Sequence, residues 1–317
     1  MSKRAIITGC AGFIGYHLAK KLLDLDNSII GIDNMSNGRQ SFVDELKRSP
    51  NFEFWEQDVY KINTIEFPFP CHKIDAVFHL AANSQINNPD PQIEIKDTFC
   101  TTYELLRFCR KNEIKEFVFA SSGAIYGEAY LTEIAYVKEN YGPLLPISHY
   151  GAAKLASEAF ISSFASYYDI KAFICRLPNV IGSHATHGVI LDFINKIKQN
   201  PKELEVLGDG SQTKPYMHVS DVVDAMVFIW QNAKEKVNYY NLAGKSTSSV
   251  KNIAVMVISA MRTNTSIRYT GGDRGWQGDS PRYYPSKAKL ENLGWHTEKT
   301  SDQAVLTAIQ EIIKENE

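Results

Sequence analysis

Two side chains four residues apart raise the first chemical question in this 317-residue chain. In residues 148–160, SHYGAAKLASEAF, Tyr150 precedes Lys154 within an unbroken helical pattern. Residues at i and i+4 share one face of a helix, so a phenol and an ammonium project side by side. A free phenol ionises near pH 10, which leaves about 0.1% phenolate at pH 7. A close cation favours the anion, and so does an oxidised nicotinamide if one is bound. Lowering the phenol by three units takes about 4 kcal/mol, which an ammonium in a partly dry cleft can supply. Tyr150 would then exchange a proton near neutral pH. The same spacing also describes an ordinary surface Tyr/Lys pair, and the surrounding sequence has to decide between the two.

Two further segments carry chemistry. VFASSGAIYG places Ser121 and Ser122 directly after an apolar, strand-like run. A hydroxyl at a strand end can hold a substrate oxygen, or can simply cap the local backbone. AIITGCAGFIG sets Gly9, Gly12 and Gly15 between an apolar run and a helical pattern. Glycines there permit a tight turn and let backbone N–H groups approach a pyrophosphate, helped by the helix N-terminus. Gly9, Gly12, Phe13, Ile14 and Gly15 are therefore assigned to a dinucleotide. The spacing is GxxGxxG, one residue longer between the first two glycines than the common form. Asp33 closes the next apolar run, with Asn34 after it. A carboxylate there accepts hydrogen bonds from adenosine ribose hydroxyls and repels a 2′-phosphate, which favours NAD over NADP. Arg39, close by, is a guanidinium that can serve a phosphate.

These residues need a frame. Apolar runs of strand length cover residues 5–8, 28–32, 52–56, 76–80, 117–120 and 172–175, with helical patterns at 12–25, 91–111 and 147–168. Strand–helix alternation predicts an α/β fold, a doubly wound parallel sheet with ligands at the carboxyl ends of its strands. Asp58 and Val59 follow the third run and would flank the adenine. Leu80, Ala81 and Ala82 follow the fourth, where small residues let a cofactor lie close to the backbone, or simply pack tightly. After about residue 178 the rhythm breaks. Helical patterns follow near 189–199, 219–232, 250–261 and 301–315, with a short strand near Tyr239 and a turn-rich GDGSQTKPY. The expected division is residues 1–178 as the NAD-binding domain and 179–317 as a smaller C-terminal α/β substrate lobe, with some chain crossing back.

A net charge of -2, from 34 Lys+Arg and 36 Asp+Glu, predicts no general affinity for nucleic acid or an anionic membrane. The five cysteines form no CxxC pair, so no metal site or disulfide framework is expected. With no apolar leader at the N-terminus, the expected location is the cytoplasm.

In this order, GxxGxxG, the late Asp33, the serine-rich strand end and YxxxK resemble the extended short-chain dehydrogenase/reductase family. Within it, the chain is most similar to the nucleotide-sugar epimerases and dehydratases of the UDP-glucose 4-epimerase type. DNMSNGR, RLPNVIG, GDGSQTKPYMHVSDV and GGDRGWQGDSPR extend the resemblance to about Trp295. It implies a Rossmann domain with bound NAD. It also implies Tyr150 as catalytic base and acid, Lys154 as its tuner and ribose ligand, and Ser122, counted back from Tyr126 and Gly127, as the hydroxyl that orients the sugar. Asn179 would contact the diphosphate, and Arg274, Asp279 and Arg282 would surround the nucleotide. Lys214 stands where relatives often carry Arg, so its phosphate contact would be a point charge and not a fork. Thr98 and Thr101 replace the usual Asn and Gly, and His184 and His187 lie beside the expected diphosphate site, as ligands or as loop residues. A homodimer formed through two helices per subunit is the family habit, and the alanine-rich faces of 147–168 and 91–111 suit either that or a core.

The resemblance also bears on the reaction. Dehydratases of the family carry an Asp-Glu pair directly after the catalytic Ser/Thr, and the related decarboxylases usually keep a Glu there. Here the positions are Gly123 and Ala124, which transfer no proton. The expected activity is a nucleotide-sugar 4-epimerase acting through a transient 4-keto sugar on a UDP-hexose, N-acetylhexosamine or hexuronic acid. The alternatives are a 4,6-dehydratase or ketosugar reductase with a relocated acid. A non-catalytic dinucleotide-binding protein would be expected to lack Tyr150 or Lys154.

Overall fold

Near-continuous apolar runs such as Arg4–Thr8 (β1), with four of its five residues buried, belong in a sheet covered on both faces. The computed structural model describes residues 2–68, 70–83, 89–129 and 136–315. After β1 come Phe13–Asp24 (α1), Ser28–Asp33 (β2), Gln40–Leu46 (α2), Phe52–Glu56 (β3) and Ala76–His79 (β4). Pro91–Glu94 (α3) and Thr101–Lys111 (α4) precede Glu116–Ser122 (β5), His149–Tyr167 (α5) and Lys171–Leu177 (β6). With the strand Val237–Asn241 they build a seven-stranded sheet in the order Val237–Asn241, β6, β5, β4, β1, β2, β3. The four ladders that join β3, β2, β1, β4 and β5 are all parallel. Chain order reverses between β1 and β4, and their carboxyl ends open the crevice where such sheets hold ligands. Ile6, Ile30, Val77, Leu106, Phe117 and Ile161 lie in the core around it.

Two features differ from expectation. Residues 91–111 form one helical rod, but Ile95–Cys100 within it is wound as a π-helix, a local widening often found at functional sites. The strand near Tyr239, expected with the C-terminal elements, is the edge of the large sheet. Asn238 is buried there and donates to Ala172 O at 3.0 Å, while Ala172 N donates to Lys236 O at 2.9 Å.

The chain forms two compact units: residues 1–125, 149–176 and 223–240 in the first, and 126–148, 177–222 and 241–317 in the second. The second unit uses short pieces. Asn179–Ile181 pairs in parallel with Tyr216–His218, Glu203–Val206 in parallel with Ser266–Tyr269, and Thr213–Lys214 antiparallel with Ser248–Ser249. Ser301 is fully buried at the head of the helix Ser301–Glu315, where its hydroxyl bonds Ser246 O at 2.6 Å and Tyr216 O at 3.1 Å.

Candidate active site

The turn after β1 is shaped for close backbone approach. Gly9 has φ +74°, and a Cβ there would lie 2.8 Å from Ala81 N. A Cβ on Gly15 would lie 2.0 Å from Gly9 O, so no larger residue fits where α1 crosses the turn. The first turn of α1, which includes Phe13 and Ile14, carries no acidic side chain, so its N–H groups could receive an anion without competition from a carboxylate. Asp33 ends β2, 8% exposed. Its carboxylate accepts from Ala11 N and Met35 N, both at 3.0 Å. Burial pushes it above its ordinary value, against the pull of the Met35, Ala11 and Asn34 amides. Asn34 Oδ1 accepts from Ser36 N at 3.0 Å. The Arg39 guanidinium lies over the Phe42 ring at 5.4 Å. Asp58 caps the 3-10 turn that begins at Val59, accepting from Tyr60 N at 3.0 Å. Leu80 and Ala81 donate to Thr8 Oγ1 at 3.3 and 3.2 Å, which holds the end of β4 beside the glycine turn; Ala82 follows, partly exposed. A tight glycine turn, unopposed helix N–H groups and a carboxylate at the end of β2 fit a dinucleotide with a free 2′-hydroxyl.

Tyr150 and Lys154 lie on α5 beside the carboxyl end of β5. Lys154 is 2% exposed; its Nζ donates to Ala120 O at 2.7 Å and stands 5.7 Å from the centre of the Tyr150 ring. Ser122, the last residue of β5, accepts from Ala124 N at 3.1 Å, and its hydroxyl beside the Tyr150 phenol favours the phenolate. The three expected catalytic side chains are therefore brought together. Their electrostatics differ from the expectation. Desolvation dominates and pushes Tyr150 up to about 12, with the Ser122 bond working against it and the Glu94 charge adding to it. Tyr150 retains some surface exposure, but the protein around it withholds the solvation a phenolate needs. Burial also brings Lys154 down to about 8, against the fields of Glu94 and Glu158. The ammonium alone thus does not make Tyr150 a base near neutral pH.

Around this pair lie polar groups that periodicity did not reveal. Glu158, four residues after Lys154 on α5, accepts from Ser121 Oγ at 2.5 Å and from Arg176 Nη2 at 2.8 Å. Glu158 and Arg176 are both buried. Glu94, 2% exposed at the end of α3, accepts from Asn83 Nδ2 at 2.8 Å and from Thr98 Oγ1 at 2.9 Å. A chain of buried bonds runs from Thr8 Oγ1 to His79 Nδ1 (2.7 Å), from His79 Nε2 to Thr102 Oγ1 (3.0 Å), and on to Ser157 Oγ (3.2 Å). It ties the cofactor strands to α5. Burial, with the Lys154 charge, lowers His79 to about 3. The i, i+4 spacing of Lys154 and Glu158 was a usable signal for Glu158; Glu94 had none, because glutamate is rarely buried.

In the second unit, Lys214 Nζ pairs with Asp279 and lies 5.0 Å from the centre of the Trp276 ring. Asp279, 3% exposed, also accepts from Gly275 N at 3.1 Å. Arg274 pairs with Glu128 and donates to Asp279 O at 3.2 Å. Three of the expected nucleotide residues thus form one cluster. Arg282 is bridged to Thr213 through the backbone, but its side chain is exposed. Asn179 donates to Pro215 O at 3.4 Å. His184 is fixed in its loop, its N–H donating to the Glu315 carboxylate at 2.9 Å, and His187 Nδ1 lies 3.0 Å from Thr186 Oγ1. Among the described residues no group of three His, Cys, Asp or Glu could hold a metal, and no helix is long and apolar enough to cross a membrane.

Residues 5–243 match the NAD dependent epimerase/dehydratase family. A Methanocaldococcus jannaschii protein, provisionally named a UDP-glucose 4-epimerase, is 32% identical over 92% of this chain and 93% of its own. A human dTDP-D-glucose 4,6-dehydratase is 26% identical over 93% of this chain and 85% of its own. A crystal structure of UDP-galactose 4-epimerase superposes with a TM-score of 0.86 at 31% identity, covering 98% of this chain and 99% of that one.

Proposed function

The chain belongs to the NAD-dependent epimerase/dehydratase family, and from that premise we propose that it is an NAD-dependent nucleotide-sugar 4-epimerase. The observation that carries this reading is the turn after Ser122. Gly123 and Ala124 occupy it, and neither can donate or accept a side-chain proton where dehydration would need an acid and a base. Without an acid or a base at these two positions, the reading rests on proton exchange with one sugar hydroxyl.

Tyr150 takes the proton from the 4-hydroxyl and later returns it to the same oxygen. Ser122 holds that oxygen through its hydroxyl. Lys154, anchored on Ala120 O, supplies fixed positive charge beside the phenol. Bound NAD⁺ would supply the hydride acceptor and the positive ring that brings Tyr150 back toward neutral pH, held by Gly9, Gly12, Phe13, Ile14, Gly15 and Asp33. Asp58, Val59, Leu80, Ala81 and Ala82 are assigned to the same cofactor. Asn179 and Lys214 contact the diphosphate, and Arg274, Asp279 and Arg282 surround the nucleotide. The substrate is a UDP-hexose, N-acetylhexosamine or hexuronic acid. Inversion at one carbon follows when the 4-keto sugar turns over and is reduced on its other face.

The working form is a homodimer. Its support is an aromatic face on the first unit: Ile95 is 53% and Phe160 41% exposed, and Phe160 meets Tyr103 edge to face at 5.8 Å. Exposed apolar side chains gathered in this way mark association surfaces.

Incubating the NAD-loaded protein with UDP-glucose, UDP-N-acetylglucosamine and UDP-glucuronate, with products read by NMR, tests the reading. At least one C4 epimer is expected. Only 4-keto-6-deoxy products, net consumption of NADH, or no epimer from any donor would refute it.

A further inference from the structure

The charges of two buried carboxylates act on Lys154, and among the described residues only one of them is paired with a guanidinium. Glu158 is held by Arg176 through Nε at 3.1 Å and Nη2 at 2.8 Å. Glu94 makes no ion pair among the described residues. Its two oxygens are taken by neutral donors, the Asn83 amide at 2.8 Å and the Thr98 hydroxyl at 2.9 Å, all three residues being buried. Thr98 lies in the π-helical segment, and Thr102 Oγ1 bonds its carbonyl at 2.7 Å. The clamp is continuous with the bonded chain that reaches α5 through Ser157. A carboxylate taken out of water without a guanidinium is costly. The nearest remedy is a cation that shares its field, and both Lys154 and Tyr150 feel its charge.

We propose that Glu94 is a positioning residue for the proton chemistry, a clamped carboxylate that holds Lys154 as the ammonium and sets the pH at which Tyr150 releases its proton. Its charge favours the protonated form of both groups. The phenol therefore stays protonated until a positively charged cofactor ring arrives, and returning the proton to substrate oxygen is made easier. Of the other groups packed about the pair, Glu158 on α5 also favours the ammonium of Lys154, but it is paired with Arg176 from β6 and does not act on Tyr150. His79 on β4 is held uncharged by burial. Ser121 and Ser122 on β5 and Thr102 on α4 are neutral. Asn83, after β4, brings only its amide.

The kinetic arm of the test rests on the epimerase reading; the spectroscopic arm does not. The ultraviolet phenolate signal of the NAD-loaded protein, minus that of its Tyr150→Phe counterpart, reports Tyr150 ionisation with no substrate present. Glu94→Gln keeps size and an acceptor for Asn83 while removing the charge. It is expected to move the Tyr150 step down by about one pH unit, roughly ten times more phenolate at a pH below the step. Glu94→Asp, which keeps the charge, should leave the step close to the parent's. The acid limb of the kcat profile should move with it. A role in structure alone would lower stability without moving either. If Glu94→Gln does not fold, Thr98→Val carries the test, because losing one donor favours the protonated carboxyl and should shift the step in the same direction by less. An unmoved step in the folded variant overturns the proposal. A moved step with no turnover on any sugar overturns the epimerase reading and leaves this one standing.

Discussion

The cluster around Tyr150 and the cluster around Lys214 treat charge in opposite ways. In the first, burial works against the charged form of three groups: Tyr150 is pushed up, Lys154 and His79 down. In the second, the charges are already matched, Lys214 with Asp279 and Arg274 with Glu128. Groups under desolvation stress respond strongly to a charge that arrives beside them. Groups in existing pairs have to exchange a partner to engage a ligand. The first cluster is thus suited to chemistry switched on by a bound cofactor, and the second to binding an anion by substitution.

Four substitutions or titrations can break this contrast. The largest effect is expected for Tyr150→Phe, which should lower kcat by about 10²–10⁴ and leave the NAD content unchanged. Turnover at the parent rate would remove Tyr150 from the chemistry. Next is Arg176→Met, which strands Glu158 in the interior and should cost about 3–5 kcal/mol in chemical denaturation. A change under 1 kcal/mol would mean that the first unit tolerates unmatched charge far better than its burial implies.

The third is a pH effect. His79 has a folded-state value near 3, below its ordinary 6.5, so the folded protein binds fewer protons than the unfolded chain between these limits. The stabilisation is complete above pH 6.5 and is lost as pH falls toward 3, by roughly 3–5 kcal/mol in all. Denaturation midpoints across that window should fall with pH in the parent and fall less steeply in His79→Gln. Equal slopes would place the acid sensitivity elsewhere. The smallest effect is expected in the second cluster. Lys214→Met should raise KM for the nucleotide sugar about tenfold, as loss of a bond to a charged group does, with kcat little changed. A loss in kcat and not KM would erase the distinction between the clusters.

The regular part of the fold was legible because its signals are local. The glycines of the first turn, Asp33 at the end of β2 and the order of strands and helices follow from periodicity and turn chemistry. The strand Val237–Asn241 was visible, but its place beside β6 was not, since it depends on Asn238 meeting a carbonyl 66 residues away. Tyr150 and Lys154 could be paired from their spacing, and Ser122 joined to them by resemblance, yet the direction of the phenol's shift could not be read. That direction is set by burial and by Glu94, a residue whose type predicts exposure. In the second unit, Lys214 and Asp279 were expected in the site by resemblance, while the pairing of Arg274 with Glu128, 146 residues away, had no signature at short range.

The most direct measurement follows one atom. UDP-glucose deuterated at C4 is incubated with the NAD-loaded protein, and the C4 epimer is examined by NMR and mass spectrometry. If Tyr150 exchanges only the hydroxyl proton and the hydride returns to the carbon it left, the epimer keeps its deuterium at C4. Loss of the deuterium to solvent, or its appearance at another carbon of a dehydrated product, would contradict the account.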